Sequence, residues 1–164
     1  MYNNIEETPR PVPWPVKIVP PIWIVIFLAI GLFVNWLFPS RELMDWRSYP
    51  VAIILFVLGV SSMLWTGSIF HRRGTEILPA SPTNKLLLVE GPFRVTRNPM
   101  YLGMTLVQLG IAFFVGTLPM FLVPIAFFCL INFVFIPFEE AKMLRQFGEQ
   151  FEEYRRKVPR WIGW

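Results

Sequence analysis

Charge is scarce in this sequence. Only 16% of its 164 residues are Asp, Glu, Lys or Arg, against about 25% in an ordinary soluble domain. Cysteine is nearly missing: Cys129 stands alone inside an apolar run, which excludes a disulfide framework and a thiolate metal site. Histidine is as thin, and His71 by itself cannot build a multi-histidine metal cluster. There is no dinucleotide-binding glycine fingerprint to suggest a nicotinamide-dependent reductase. What the chain has in quantity is apolar: 54% hydrophobic residues, with 16 Phe and 7 Trp. A soluble fold this small cannot hide that much apolar surface. Lipid must cover it.

Residues 18–40, 48–70 and 98–138 contain no Asp, Glu, Lys, Arg or His. The last run, 41 residues long, is about twice the roughly 20 residues that cross a bilayer as a helix. Gly116-Thr117-Leu118-Pro119 near its middle reads as a tight turn. The expected fold is therefore an all-α integral membrane protein with four transmembrane helices, at about 20–38, 50–70, 99–116 and 119–138. Of the 15 Lys and Arg residues, all but Arg41 and Arg47 fall in segments on one side of that topology. The positive-inside rule makes that side cytoplasmic and puts both termini there. The net charge of +4 then reflects topology and anionic headgroups rather than nucleic acid.

Residues 1–17 are polar and rich in proline (Pro9, Pro11, Pro13, Pro15), the composition of an extended tail without a core. No signal peptide is expected there. The rest, 18–164, reads as a single membrane domain. Its C-terminal part, 139–158, has Leu144, Phe147, Phe151, Tyr154 and Val158 at steps of three and four. That spacing predicts one amphipathic helix lying along the membrane surface or over the ends of the spans.

Two features at the charge-rich end can carry chemistry. The loop before the third span ends in Glu90-Gly91-Pro92-Phe93-Arg94-Val95-Thr96-Arg97-Asn98-Pro99-Met100-Tyr101-Leu102-Gly103. Gly91-Pro92 forces a turn, and Asn98-Pro99 starts a helix with proline where a missing N–H costs nothing. Gly103 permits close approach to the backbone. The second feature is Glu139-Glu140, directly after the last apolar run. By position alone, the first set serves equally as a loop-to-helix junction with snorkelling arginines, and the second as a helix-end marker. A tight hairpin nevertheless makes the third and fourth spans neighbours, so both sets emerge side by side.

Together these residues resemble a known family. The run from Arg97 to Gly103 is similar to the Arg-His-Pro-x-Tyr-x-Gly signature of the isoprenylcysteine carboxyl methyltransferase and phospholipid methyltransferase superfamily. Glu139-Glu140 with Leu144 and Phe147-Gly148 resembles that family's Glu-Glu-x-x-x-Leu-x-x-x-Phe-Gly tail. The resemblance, which points to a small bacterial or archaeal-type member, runs from about Arg72 to the C-terminus. It implies methyl transfer from S-adenosylmethionine to a carboxylate, thiol or amine on a lipophilic or amphipathic acceptor. It also implies membrane lipids as partners and a prokaryotic inner membrane as the location. Carried onto this chain, the cofactor contacts are Lys85, Leu86, Leu87, Leu88, Phe93, Asn98, Pro99, Met100, Tyr101, Gly103, Glu139 and Glu140.

Arg94, Arg97 and Asn98 are the expected positioning residues at the reacting end, with no general base. His71, Arg72, Arg160 and Trp161 are weaker candidates for substrate contact, since each also suits an interfacial anchor. A polar stripe in the second span (Ser61, Ser62, Thr66, Ser68) could line a substrate path or serve helix packing. Two departures stand out. Asn98 replaces a histidine found in many members and cannot carry a proton; Phe135 stands where the eukaryotic prenylcysteine enzymes have an arginine. The alternative reading is a non-catalytic lipid-binding or assembly protein that retains the fold.

Overall fold

The computed structural model describes residues 12–38, 45–76, 81 and 84–163. Arg10 and Arg41, two of the residues in the charge count, lie outside that set. Among the described residues every regular element is helical: α1 Pro20–Leu37, α2 Tyr49–Arg73, α3 Pro99–Val115, α4 Leu118–Leu130, α5 Ile136–Phe147 and α6 Glu149–Lys157. Short 3₁₀ turns precede α1 (Trp14–Lys17) and α3 (Gly91–Arg94). Each of α1 to α5 has proline in its first turn. At the free starts of α1 to α4, proline presets the backbone and lacks only a donor the helix would not use.

Among the described residues, three helical segments are long and apolar enough to cross a membrane: Pro20–Leu37, Tyr49–Arg73 and Leu118–Phe147. The fourth expected span, α3, has 17 residues, about 25 Å of helix at 1.5 Å per residue. Large side chains such as Phe33, Trp36, Ile53 and Phe133 are exposed on the outside of the bundle, as lipid-facing surfaces are. The protein is an all-α integral membrane protein.

The final span does not stop at the acidic pair. It runs on through Glu139 and Glu140 as one 30-residue segment, Leu118–Phe147. Inside it Ile131–Phe135 forms a π turn, in which the Ile136 N–H reaches back five residues to the Ile131 carbonyl. Pro137 explains the widening: it has no N–H to donate, and its ring crowds the carbonyl one turn before it. The amphipathic helix expected over 139–158 is divided at Gly148, whose φ of 51° turns the chain before α6.

In space the helices lie in the order α2, α3, α4, α1, so α1 packs on α4 rather than on α2, its neighbour in sequence. The α2–α3 contact is backbone on backbone. A Cβ on Gly59 would sit 2.6 Å from the Gly103 carbonyl oxygen, and one on Gly103 would sit 2.7 Å from that of Gly59. Small residues let the helices approach this closely without lipid between them. At the charge-poor end, Trp46 N–H donates to the Gly116 carbonyl and Ser48 N–H to that of Phe113, tying the start of α2 to the α3–α4 turn.

Of the extended tail expected at 1–17, residues 1–11 lie outside the described residues, and the remainder holds the 3₁₀ turn Trp14–Lys17. Val16 is 1% exposed and packs in the main core with Tyr101, Met104, Phe127, Ile131, Phe135 and Ile136. The indole of Trp23 donates to the Pro15 carbonyl at 3.0 Å and pins the segment to α1. Proline-rich composition concealed this because the 3₁₀ turn uses Pro15 at its start, where proline fits.

Candidate functional site

At the charge-rich end, the start of α3 meets α5. Tyr101, in the first turn of α3, donates its hydroxyl to Glu139 Oε1 at 2.6 Å, and its ring lies edge-on to Phe135. The π turn sets the register that brings Glu139 to this face.

Two cavities flank the Tyr101–Glu139 pair. The first, about 600 Å³, lies beneath the extended segment 84–88 and between α5 and α6. Leu86, Leu87, Leu88, Met143 and Phe151 supply its apolar lining, while Glu139, Glu140, Arg97, Asn98 and Tyr154 supply the polar groups. The second, about 740 Å³, lies between the start of α3 and the N-terminal segment, lined by Val19, Pro20, Pro21, Met100, Tyr101 and Met104 among others. Phe70, Phe93, Arg97, Asn98 and Glu139 line both. These five residues form a shared wall, apolar on one part and polar on the other.

The segment over the first cavity is held by side chains. The Gln146 amide pairs with the Asn84 backbone in both directions, accepting from its N–H at 2.8 Å and donating to its carbonyl. Glu76 accepts from the Lys85 N–H at 3.1 Å; its own backbone N–H first, and this contact second, hold the Glu76 carboxyl below its usual range. Tyr154 closes the far side by donating its hydroxyl to the Phe93 carbonyl at 2.7 Å; burial raises its pKa. At the end of the loop Glu90 receives two hydrogen bonds from Arg73, at 2.7 and 2.8 Å, which lower the Glu90 pKa.

Residues 158–161 form a strap over the junction. Arg97 N–H donates to the Pro159 carbonyl, and the side chains of Thr96 and Asn98 both donate to the Arg160 carbonyl, at 2.8 and 3.0 Å. Glu140 then binds two arginines: Arg160 Nη2 at 2.5 Å and Arg97 Nη1 at 3.1 Å. The Arg97 contact is close but poorly aligned, so its Nε and Nη1 are buried without a hydrogen-bond partner among the described residues. Burial lowers the Arg97 pKa, and the Glu140 carboxylate opposes that shift. Trp161 stacks on Phe128 at 4.8 Å between ring centres and donates to Asn132 Oδ1 at 3.0 Å.

Most of the residues singled out in the sequence converge here. Leu86, Leu87, Leu88, Phe93, Asn98, Glu139 and Glu140 line the first cavity; Pro99, Met100 and Tyr101 line the second; Arg97 lines both. Others stand elsewhere. Gly103 serves the α2–α3 contact. Lys85 and Arg94 are exposed and line neither cavity, and His71 is exposed at the end of α2. Arg72 borders a separate cleft with Trp65 and Arg73. Arg160 and Trp161 belong to the strap. In the polar stripe, Ser62 donates to the Pro99 carbonyl at 2.9 Å, while Thr66 and Ser68 bond within α2, so these three serve packing.

Sequence reasoning missed Phe70 and the whole wall at Val19, Pro20 and Pro21. The only signal for Phe70 was its position as the last apolar residue of the second run.

Known proteins meet the chain at this site. It is 35% identical over 105 residues to a Protein-S-isoprenylcysteine O-methyltransferase of Schizosaccharomyces pombe, an alignment covering 60% of this chain and 41% of that protein. The chain thus spans less than half the length of that relative. Residues 48–150 match the phospholipid methyltransferase family. The matched region holds α2, α3, α4, α5 and the shared wall, and the chain belongs to that family. No solved structure matches it.

Proposed function

We propose that the protein transfers a methyl group from S-adenosylmethionine to an amphipathic acceptor at the cytoplasmic face of a membrane. The observation that carries this reading is the pair of cavities with one common wall. A methyl donor and a separate acceptor need two adjoining sites whose ligands meet at a single place, and catalysis by alignment needs little more.

The residues of the first cavity suit the donor. Leu87, Leu88, Phe93 and Phe151 offer an apolar wall for an adenine ring. Glu139 can accept from ribose hydroxyls or an ammonium group. The Arg97 Nε–H, which has no hydrogen-bond partner among the described residues, is suited to a carboxylate. When bound, S-adenosylmethionine supplies an electrophilic methyl on a sulfonium centre.

The chain's own part is positioning. Tyr101 fixes Glu139, Asn98 and Arg97 anchor the polar wall, and the strap with segment 84–88 excludes water. A carboxylate or thiolate acceptor needs no base, which accords with a shared wall that contains no histidine. The second cavity, mostly apolar, would hold the acceptor's chain with its nucleophile against the shared wall. The accumulation of Lys and Arg at this end supports a cytoplasmic orientation.

The test is calorimetry on the purified protein in detergent. Saturable S-adenosylmethionine binding, abolished in Glu139→Ala and weakened in Phe93→Ala, is the expected result. Heat from NADPH alone would overturn the reading. Binding without methyl transfer to any lipid would favour a non-catalytic protein retaining the fold.

A further inference from the structure

The second cavity has one wall that the family match does not supply. Residues 48–150 match the family, yet Val19, Pro20 and Pro21 lie well before that region and face α3 across the cavity. The wall is rigid for identifiable reasons. Pro20 and Pro21 have fixed φ and occupy the first turn of α1. Behind them the 3₁₀ turn Trp14–Lys17 directs Val16 into the core cluster that also holds Tyr101 and Met104, which themselves line the cavity. The Trp23 indole bond to the Pro15 carbonyl holds the turn in place.

From Asn98 at the polar wall to Met104, the farthest lining residue along α3, is six residues, about 9 Å of helix. A chain lying along α3 in this cavity therefore shares it with Val19, Pro20 and Pro21.

We infer that residues 16–21 are a built-in stop that sets the length and girth of the apolar chain this protein accepts. The inference rests on the acceptor reading of the second cavity. Val19 is the most direct control, because its side chain can be trimmed or enlarged without disturbing the two prolines. Val16 acts one layer behind, as the brace for Tyr101 and Met104. Within this family the site chemistry would then come from the matched region, and the choice of chain from the N-terminal segment outside it.

The experiment uses the full chain in detergent, with N-acetyl-S-alkylcysteines from hexyl to hexadecyl as probes. Two quantities are read for each: equilibrium binding by displacement of a fluorescent amphiphile, and methyl incorporation from labelled S-adenosylmethionine. Val19→Ala should move the preferred length upward. Val19→Phe should move it downward, changing the long-to-short binding ratio by about tenfold or more, the scale of discrimination in apolar pockets. Val16→Ala should move it in the same direction as Val19→Ala. Affinity for S-adenosylmethionine should stay the same in the Val19 variants, because Val19 does not line the first cavity.

A length profile that is identical in wild type, Val19→Ala and Val19→Phe overturns the inference. So does the failure of every probe to bind the wild type. Shifted binding profiles without any methyl incorporation uphold the stop and remove the methyl-transfer reading instead.

Discussion

Glu140→Ala separates two roles for the acidic pair. Glu139 faces both cavities and bonds to Tyr101, whereas Glu140 holds Arg97 and Arg160 and through them the C-terminal strap. The side chains of Glu140 and Arg97 are 16% and 11% exposed, so the substitution strands a nearly buried guanidinium. Removing one partner of a buried pair costs about 3–5 kcal/mol. Arg160, at 34% exposed, can turn to water and adds at most about 1 kcal/mol. Partial access of water to the site favours the lower end, about 3 kcal/mol, or roughly a hundredfold in the opening equilibrium of the strap. Hydrogen exchange of the Arg97 amide, which donates to Pro159, reads that opening directly. The fluorescence of Trp161 should change with it as its stack on Phe128 loosens. An unchanged Arg97 exchange rate, with S-adenosylmethionine binding lost, would refute the reasoning and make Glu140 a ligand contact.

Other outcomes follow from single contacts. Tyr101→Phe keeps the ring against Phe135 and deletes the donor to Glu139; S-adenosylmethionine affinity should fall about tenfold by calorimetry, near 1.5 kcal/mol for a charge-assisted hydrogen bond. Gly59→Ala drives a Cβ into the Gly103 carbonyl and should cost about 1–3 kcal/mol in thermal unfolding. Gly67→Ala, with nothing within 4 Å of the added Cβ, should cost nothing. The Glu90–Arg73 tie has a defined pH sense. Because the Glu90 pKa is lowered in the folded chain, its contribution is complete above the ordinary carboxylate value of 4.5 and lost as pH falls through the lower folded value. Exchange at the Phe93 amide, which donates to the Glu90 carbonyl, should therefore be unaffected by that group near neutrality and rise only in acid.

The helices were legible because charge-free runs and punctuating prolines are strong signals, and Gly116, with φ of 80°, turns the chain where expected. Leu87, Leu88, Phe93 and Glu139 were legible as a group only through the family resemblance; no periodicity joins residues some fifty positions apart. Other features depend on contacts that composition does not encode. Gly103 reads as room for a ligand, but a neighbouring helix uses that room. Glu140 looks equivalent to Glu139 until the helix turn of about 100° between neighbours sets Glu139 on the wall of both cavities and Glu140 on the first cavity alone, where it holds the strap. Val16 belongs to a proline-rich stretch, and only its partners Tyr101 and Met104 reveal it as core. The break at Gly148 interrupted an apolar stripe that continues on both sides of it.

The central claim is that one adenosyl ligand touches the loop before α3, α5 and α6 at once. Ultraviolet cross-linking of labelled S-adenosylmethionine to the full chain, followed by peptide mapping, tests it most directly. The account predicts adducts on peptides carrying Phe93 and Phe151, suppressed by excess unlabelled ligand. Label confined to the opposite end, near Trp46 and Gly116, or no protectable label at all, would contradict it.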